Sequence, residues 1–411
     1  MKKIIYFFLI VNFALITEDC FSQWLQQNSN TTGNLNSIYF VNSQTGWVCG
    51  VTGPLSTDRI AKTTDGGNTW VRQNAGTYYV LNSIHFINDQ TGWAAGIHGT
   101  VVKTTNGGMN WYQILGINLD LNDIQFIDSQ TGWVSGIQVN DVYRTTDGGI
   151  SWSYLFNDYI FKRIHFINSI TGFAVTGGIN IYKTTNAGLN WSPNSFSNTG
   201  FAAIFIVDSL YGYSVGEPSK QAITTNGGLT WDTSRITTSF ISPRAVFFKN
   251  RYIGYLAGNN GIIFKTINGG MNWNSQSSGV NNDLNDIYFI DTSIGWAVGN
   301  SGVILKTTNG GGTVGINIIS TEIPKNFALL QNYPNPFNPT TKIKFALPKD
   351  AFAKLTIYDV LGREVATLVE EQLQPGTYEV NWDATNYPSG VYFYKLISGD
   401  FSQTNKMILI K

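Results

Sequence analysis

The nine residues KTTDGGNTW, at positions 62–70, return in close variants along most of the chain. Successive copies end in tryptophans that are spaced by 41, 41, 39, 40 and 42 residues, namely Trp70, Trp111, Trp152, Trp191, Trp231 and Trp273. A second signature, TGW and its variants, has its glycine at Gly46, Gly92, Gly132, Gly172, Gly212, Gly254 and Gly295. Seven units with a period near 40, each with four strand-like stretches, are typical of the blades of a β-propeller.

The last copy, KTTNGGGTVG, has no tryptophan and no outer strand after it. The missing strand lies at the other end of the repeats, where QWLQQNSNTTGNLNSIYF from Gln23 aligns with TWVRQNAGTYYVLNSIHF and makes Trp24 the seventh tryptophan. We therefore predict an all-β, seven-bladed β-propeller over residues 23–313 with N-terminal strand closure. Closing the ring removes open sheet edges.

The repeated string has the chemistry of a tight turn between the third and fourth strands. Asp65, Asp147 and their asparagine counterparts can accept hydrogen bonds from backbone N–H groups, while the glycines supply backbone angles that side chains disfavour. The asparagines are Asn106, Asn186, Asn226, Asn268 and Asn309. The tryptophan that follows is expected to pack between neighbouring sheets. We predict a structural role for the string.

These strings resemble the Asp box of sialidases and other propellers. The full unit, such as IHFINDQTGWAAGIHGTVVKTTNGGMNW, resembles the family of the photosystem II assembly and stability factor. The resemblance implies that the box lies on the face opposite the ligand site.

Residues 1–22 have the pattern of a secretory signal, with Lys2 and Lys3 before an apolar run of about 13 residues, which is shorter than a membrane span of about 20. The mature chain is therefore expected to have no transmembrane segment. Cleavage after Ser22 would remove Cys20 and leave Cys49 without a disulfide partner. The other copies have small or aliphatic residues at that position, so Cys49 is predicted to be a buried packing residue.

A linker over residues 314–326 is expected to lead into a small C-terminal Ig-like antiparallel β-sandwich over residues 327–411, because apolar residues alternate between turn signals. This segment resembles the type A sorting domain of the type IX secretion system in NYPNPFNPTT (332–341), YDVLGREV (358–365), PSGVYFYKL (388–396) and KMILIK (406–411). The resemblance implies inner-membrane passage by the signal, recognition by the type IX machinery, and release or attachment at the outer cell surface.

Neither the composition nor the motifs point to nucleic-acid binding or to metal or cofactor chemistry. Basic and acidic residues balance at 26 each, so no nucleic-acid partner is expected. The chain has no H-E-x-x-H, G-x-S-x-G, P-loop or clustered Cys/His pattern, so neither a metal nor a cofactor is expected. The Arg-Ile-Pro signature of sialidases is also missing. His85 and His165 occupy the inner-strand position of Tyr39 and Phe205 and are predicted to pack. We expect a monomer.

Ligands of propellers usually meet the face whose loops vary most between copies. On those loops the candidate binding residues are Tyr78, Tyr79, His98, Asp141 and Glu217. The residues just before the inner strands are expected to place Lys162, Arg163 and Arg244 on one arc of the channel mouth, with Asp123 and Asp286 elsewhere. Such a basic arc suits an acidic peptide or a glycan, and ordinary solvated charge is the alternative.

Three functions agree with these patterns. The first is a non-catalytic, secreted or surface-displayed propeller that binds a protein or a glycan of unknown identity. The second is a secreted glycan-active enzyme, sialidase-like or another glycoside hydrolase, with a carboxylate pair such as Asp141 and Glu217. The third is an assembly factor like the photosystem family, which the export signals disfavour.

Overall fold

The structure is a computed structural model that describes residues 24–50, 57–136, 142–155, 159–196, 200–311, 316–320, 322–373, 375–384 and 387–411. The expected signal, residues 1–22, lies outside these ranges. The described chain is all-β except for three 3-10 turns at Ile97–Gly99, Asn259–Gly261 and Asn300–Gly302. No helix in this part is long and apolar enough to cross a membrane.

The repeats fold into seven antiparallel four-stranded sheets, numbered here in chain order. One strand, β1 (Leu25–Gln27), precedes them. Sheet 1 has β2 (Leu35–Phe40), β3 (Gly46–Gly50), β4 (Ile60–Thr63) and β5 (Val71–Gln73). Sheet 2 has β6 (Leu81–Phe86), β7 (Gly92–Gly96), β8 (Val101–Thr104) and β9 (Tyr112–Ile114). Sheet 3 has β10 (Leu121–Phe126), β11 (Gly132–Gly136), β12 (Val142–Thr145) and β13 (Ser153–Leu155).

The same order continues through the remaining repeats. Sheet 4 has β14 (Arg163–Phe166), β15 (Gly172–Val175), β16 (Asn180–Thr184) and β17 (Ser192–Ser195). Sheet 5 has β18 (Gly200–Ile206), β19 (Gly212–Glu217), β20 (Lys220–Thr224) and β21 (Asp232–Arg235). Sheet 6 has β22 (Pro243–Phe248), β23 (Gly254–Gly258), β24 (Ile263–Thr266) and β25 (Asn274–Gln276). Sheet 7 has β26 (Leu284–Phe289), β27 (Gly295–Gly299) and β28 (Ile304–Thr307), with β1 as its fourth strand.

The first strands of the sheets form a closed ring. Each contacts the first strand of the next sheet, and β26 of sheet 7 contacts β2 of sheet 1. The fourth strand of sheet 7 comes from the other end of the repeats, because β1 pairs antiparallel with β28 through Leu25 opposite Lys306 and Gln27 opposite Ile304. The predicted N-terminal closure is therefore present.

Aromatic stacking joins the sheets. In sheet 1 the tryptophan of the TGW signature, Trp47, is fully buried and lies flat on Phe86 of sheet 2, with ring centroids 3.6 Å apart. The indole N–H of the corresponding Trp93 donates to the Gly148 carbonyl in the box of sheet 3 at 3.0 Å. The glycine of this signature is needed because a Cβ at Gly46 would lie 2.6 Å from the Phe40 ring. The box tryptophan meets the same phenylalanine from its edge, as Trp111 meets Phe86.

The C-terminal part forms two further four-stranded sheets. Their strands are β29 (Ile316–Ser320), β30 (Ala328–Leu329), β31 (Thr340–Leu347), β32 (Ala351–Tyr358), β33 (Glu364–Leu373), β34 (Gly376–Asp383), β35 (Gly390–Ser398) and β36 (Phe401–Leu409). The sheet orders are β29-β34-β31-β30 and β33-β32-β35-β36, and both contribute to one apolar core that includes Phe345, Trp382, Tyr394 and Met407. The segment expected to be a linker contains β29, which pairs with β34.

Candidate functional site

A ring of seven side chains lies at the opening of the channel, and a backbone irregularity places them there. In sheets 1–3 and 5–7 the pairing of the first two strands shifts by one residue, as between Leu35 and Ser37 in sheet 1. The extra residue of such a bulge is turned away from the regular ladder. Together with the residue before β14 these form what we call the bulge ring, Asn36, Asn82, Asn122, Lys162, Ala202, Arg244 and Asn285, and all seven line one cavity of about 450 Å³.

Four asparagines of the bulge ring, which we call the asparagine belt, connect neighbouring sheets. Each side-chain amide donates to a backbone carbonyl of the next sheet: Asn285 to Leu35 at 2.9 Å, Asn36 to Leu81 at 3.0 Å, Asn82 to Leu121 at 2.8 Å and Asn122 to Phe161 at 3.4 Å. Arg244 extends this belt, because its guanidinium donates to Asn285 Oδ1 at 2.7 Å. The mouth is therefore rigid along sheets 6, 7, 1, 2 and 3.

The belt is open at sheets 4 and 5. Ala202 has no polar side-chain atom, and the side chain of exposed Lys162 forms no hydrogen bond or ion pair to another described residue. Partial burial and the guanidiniums of Arg163 and Arg244 lower the pKa of Lys162, whereas the carboxylate of Glu217 raises it. Lys162 is thus a cation without a fixed partner at a gap in an otherwise hydrogen-bonded rim.

The two arginines are held by partners, which corrects the expected separation of basic and acidic groups. Arg163 lies 3.7 Å from Asp123, which was expected elsewhere on the ring. The register of neighbouring inner strands brings them together, since Asp123 Oδ2 also accepts from the backbone N–H of Ile164 at 3.0 Å. Arg244 forms a 2.8 Å ion pair with Asp283. Of the three predicted cations, only Lys162 is left without a partner among the described residues.

Two carboxylates lie deeper in the channel. Asp123 accepts from the Ser83 hydroxyl at 2.8 Å, and Asp286 accepts from the Ile38 and Ile287 backbone N–H groups at 3.0 and 2.9 Å. Burial raises the pKa of both carboxyl groups, and the positive charge of Arg163 acts in the opposite direction. The two carboxylates therefore connect neighbouring sheets.

Below them a largely aromatic layer lines a second cavity, of about 430 Å³. It consists of Tyr39, His85, Gln125, His165, Phe205, Phe247 and Tyr288. His85 packs against Tyr39 with ring centroids 4.8 Å apart, and His165 packs against Phe205 at 4.9 Å. Burial lowers the pKa of each histidine to about 4, with a further lowering of His85 by His165. Both imidazoles are therefore neutral near pH 7.

The other predicted binding residues are dispersed. Glu217 lines the mouth cavity together with Lys162. Tyr79 packs on His98 with ring centroids 4.5 Å apart, and Tyr78 is 65% exposed, but none of these three is among the described residues that line the mouth cavity. Asp141, the suggested carboxylate partner of Glu217, lies outside the described residues.

The box residues make local and structural contacts. Asp65 Oδ1 accepts from the Thr69 N–H at 2.9 Å, and Thr63 Oγ1 accepts from the Gly67 N–H at 2.8 Å. Asn106, Asn186, Asn226 and Asn268 accept the same bond from the backbone N–H four residues on, at 2.9–3.0 Å, and the counterpart for Asn309 lies outside the described residues. Hydrogen bonds from Thr69 lower the pKa of Asp65 to about 2, and those from Ser151 do the same for Asp147. Each box tryptophan immediately precedes an outer strand, and the seven are Trp24, Trp70, Trp111, Trp152, Trp191, Trp231 and Trp273.

Cys49 is fully buried and unpaired, and burial raises the pKa of its thiol. Within the described ranges no three His, Cys, Asp or Glu side chains are grouped closely enough to hold a metal ion. The charges at the bulge positions are evident from the sequence, whereas the asparagine belt is not predicted by it. The signal is the repetition of asparagine at the second residue of the inner strand in four of the seven copies.

Two families match this chain. Residues 331–411 match the secretion system C-terminal sorting domain, and residues 16–119 and 237–333 match the photosynthesis system II assembly factor YCF48. The chain thus resembles the YCF48 propellers over its repeats and carries a tail similar to type IX sorting domains. That tail indicates export to the cell surface or the medium. A comparison with curated proteins gave no match.

Solved structures support the propeller-like fold. A YCF48 bound to a D1 peptide is 20% identical with a TM-score of 0.61, covering 70% of this chain and 98% of that one. YCF48 from Cyanidioschyzon merolae is also 20% identical, with a TM-score of 0.60 and coverage of 69% and 98%. The WD40 β-propeller domain of Doa1 is 10% identical, with a TM-score of 0.53 and coverage of 67% and 93%. At identities of 10–20% these similarities show the fold alone.

Proposed function

We propose that this protein is a non-catalytic binding protein of the cell surface or the medium. In this proposal residues 23–313 form a seven-bladed β-propeller, residues 1–22 are a removed signal, and the Ig-like tail directs export by the type IX machinery. Since β29 pairs within the tail, the fold of the tail begins by Ile316 and the linker is shorter than residues 314–326. The propeller acts as a monomer that presents its mouth to a ligand.

One observation carries the binding proposal, the unpartnered Lys162 at the gap in the bulge ring. The Lys162 ammonium favours an anion, because it has no fixed counter-charge of its own and the nearby guanidiniums of Arg163 and Arg244 lower its pKa. Glu217 at the same rim can accept a hydrogen bond from a hydroxyl or an amide of that ligand. An acidic peptide or a carboxylate-bearing glycan has both features. The YCF48 structure with a D1 peptide is a precedent for a peptide ligand on this fold.

The test is binding of the full chain to a glycan array and to extracted surface proteins, followed by titration of each hit. Lys162→Ala removes the cation, and Lys162→Asn supplies the asparagine that four other sheets have at this position. We expect both variants to lose at least about tenfold in affinity, because a charge-assisted contact contributes more than about 1.4 kcal/mol.

The matched control is Lys249→Ala, an exposed lysine at the opposite end of the strands. It should bind like the unchanged chain. Undiminished binding of both Lys162 variants would refute a ligand site at the mouth. Turnover of a hit glycan that Glu217→Gln abolishes would refute the non-catalytic role.

A further inference from the structure

Apolar side chains project from the end of the ring opposite the mouth, where the box turns lie; we call this end the box face. The residue after the second position of the Gly-Gly pair is strongly exposed in five consecutive sheets. These residues are Met109, Ile150, Leu189, Leu229 and Met271, with exposed fractions between 58% and 82%. Exposed aliphatic side chains repeated at one position of a rigid turn form a patterned surface.

The turn itself does not require an apolar residue there. Asn68 occupies the corresponding position in sheet 1, where the Asp65 and Thr63 hydrogen bonds are the same as in the other boxes. A polar side chain is therefore compatible with the fold. The geometry of the turn therefore does not account for the aliphatic residues of the other sheets.

Sheets 4 and 5 add a second exposed aliphatic residue each, from the loop between their first two strands. Ile170 is 54% exposed and Leu210 is 52% exposed. Each is fixed beside its box, since the Ala187 N–H donates to the Ile170 carbonyl and the Gly227 N–H to the Leu210 carbonyl, both at 2.8 Å. The apolar groups are thus densest on sheets 4 and 5, and Met271 continues them on sheet 6.

The same arc is positively charged. In the described part of sheets 4–6 the box face has four cations, Lys183, Lys249, Arg251 and Lys265, against two carboxylates, Asp208 and Asp232. Arg251 is exposed and lies over the Tyr252 ring, 4.7 Å from its centroid. Sheets 1–3 have the reverse balance, with three cations, Lys62, Lys103 and Arg144, against four carboxylates, Asp65, Asp89, Asp128 and Asp147.

We propose that the box face of sheets 4–6 docks onto an anionic phospholipid surface. Aliphatic and thioether tips that project from separate turns, with lysine and arginine between them, have the composition of interfacial membrane-binding elements. The cores of protein interfaces are instead contiguous and depleted of lysine. The excess of cations complements anionic headgroups. This surface is independent of the mouth site, so either proposal can fail alone.

The experiment is co-sedimentation of the full chain with phosphatidylcholine vesicles that contain either no anionic lipid or about 30% phosphatidylglycerol. The test variant is Leu189→Ser with Leu229→Ser. The matched control is Met109→Ser with Ile150→Ser, which removes two tips that are more exposed than Leu189 and Leu229 from the acidic part of the same face. Melting curves check that both double variants remain folded.

We expect binding only to the anionic vesicles, weakened by added salt, and reduced at least about tenfold in the test variant but less than about twofold in the control. Lack of binding to anionic vesicles overturns the proposal. Equal losses in both double variants overturn the assignment to sheets 4–6. Binding of a protein from the cell surface that the test variant loses, with no vesicle binding, would identify a protein partner instead.

Discussion

The indole of Trp296 lies flat on the phenyl ring of Phe40, with ring centroids 3.5 Å apart and planes inclined by 8°. This contact joins the last repeat to the first with the stacking that joins Trp47 to Phe86 inside the ring. The Trp296 indole N–H also donates to the Gly66 carbonyl at 3.1 Å. The interface between sheets 7 and 1, which closes the ring, is therefore packed like the interface between sheets 1 and 2.

Replacing Trp296 with alanine should destabilise the ring by about 3–5 kcal/mol, because a fully buried aromatic side chain is removed from a packed interface. Guanidinium unfolding monitored by tryptophan fluorescence measures the change. Val71→Ala is the control, since Val71 is 67% exposed and its loss should change the free energy of unfolding by no more than about 0.5 kcal/mol. A Trp296→Ala chain as stable as this control would contradict a closed ring.

Deletion of residues 23–32 should lower the melting temperature by about 10 °C or more, because it removes β1 and buried Trp24 and leaves β28 as an unpaired edge. Scanning calorimetry and light scattering measure melting and aggregation. Leu25→Ser, at a position 59% exposed, keeps the strand and should melt like the unchanged chain. Unchanged melting of the deletion would show that β1 does not close the ring.

The aspartate boxes should make stability sensitive to acid. Because the folded-state pKa of Asp65 and Asp147 is lowered to about 2, their stabilisation is present above pH 4 and is lost as pH falls toward 2. The variant Asp65→Asn with Asp147→Asn should melt like the unchanged chain at pH 7, since Asn226 makes the same bond to Thr230. Between pH 4 and pH 2 the melting temperature of this variant should fall less than that of the unchanged chain. Identical losses would contradict the role of these carboxylates.

The channel histidines should make stability depend on pH in a higher range than the aspartate boxes do. Unfolded histidine takes up a proton near pH 6.5, whereas His85 does so near pH 4 in the folded ring, so protonation favours unfolding as pH falls from 6.5 to 4. His85→Phe should therefore flatten the pH dependence of melting in that window. His98→Asn is the control, because exposed His98 has Asn260 at the corresponding turn position. A pH profile of His85→Phe that matches the unchanged chain would argue against burial of a neutral imidazole.

The tail should need β29 to fold as a unit. A fluorescent reporter fused to residues 316–411 should leave a type IX-competent host more completely than one fused to residues 327–411, which lacks the strand that pairs with β34. Reporter fluorescence of periplasm, cell surface and medium measures the distribution. Retention of both fusions in the periplasm would contradict a sorting role, and equal export would show that β29 is dispensable.

The sequence predicted the succession of four-stranded sheets because each unit repeats the same local chemistry. Period-two strands, the TGW glycine and the Asx-Gly-Gly turn recur, and the strand missing at Gly312 is present at Trp24. The tight stacking between sheets, in contrast, belongs to Trp47 and its counterparts rather than to the box tryptophans, which meet the phenylalanines edge-on. Local sequence does not determine which of two aromatic residues faces the neighbouring sheet.

The site was less predictable because its contacts join residues about 40 positions apart. Lys162 and Arg244 were recognisable as mouth residues from their place before the inner strands. The ion pair of Arg163 with Asp123 depends on how two inner strands approach around the ring, and no local pattern encodes it. For the same reason the sequence predicts a linker where β29 lies, since the partner strand β34 is far along the chain.

The asparagine belt has an evolutionary consequence. Because each asparagine of the belt donates to a backbone carbonyl of the next sheet, one codon per repeat decides whether that segment of the rim is sealed or open. A lineage can move the opening around the ring, or add a second one, by exchanging asparagine for a small or charged residue while the sheets stay unchanged. New specificities therefore require few mutations in a scaffold of this kind.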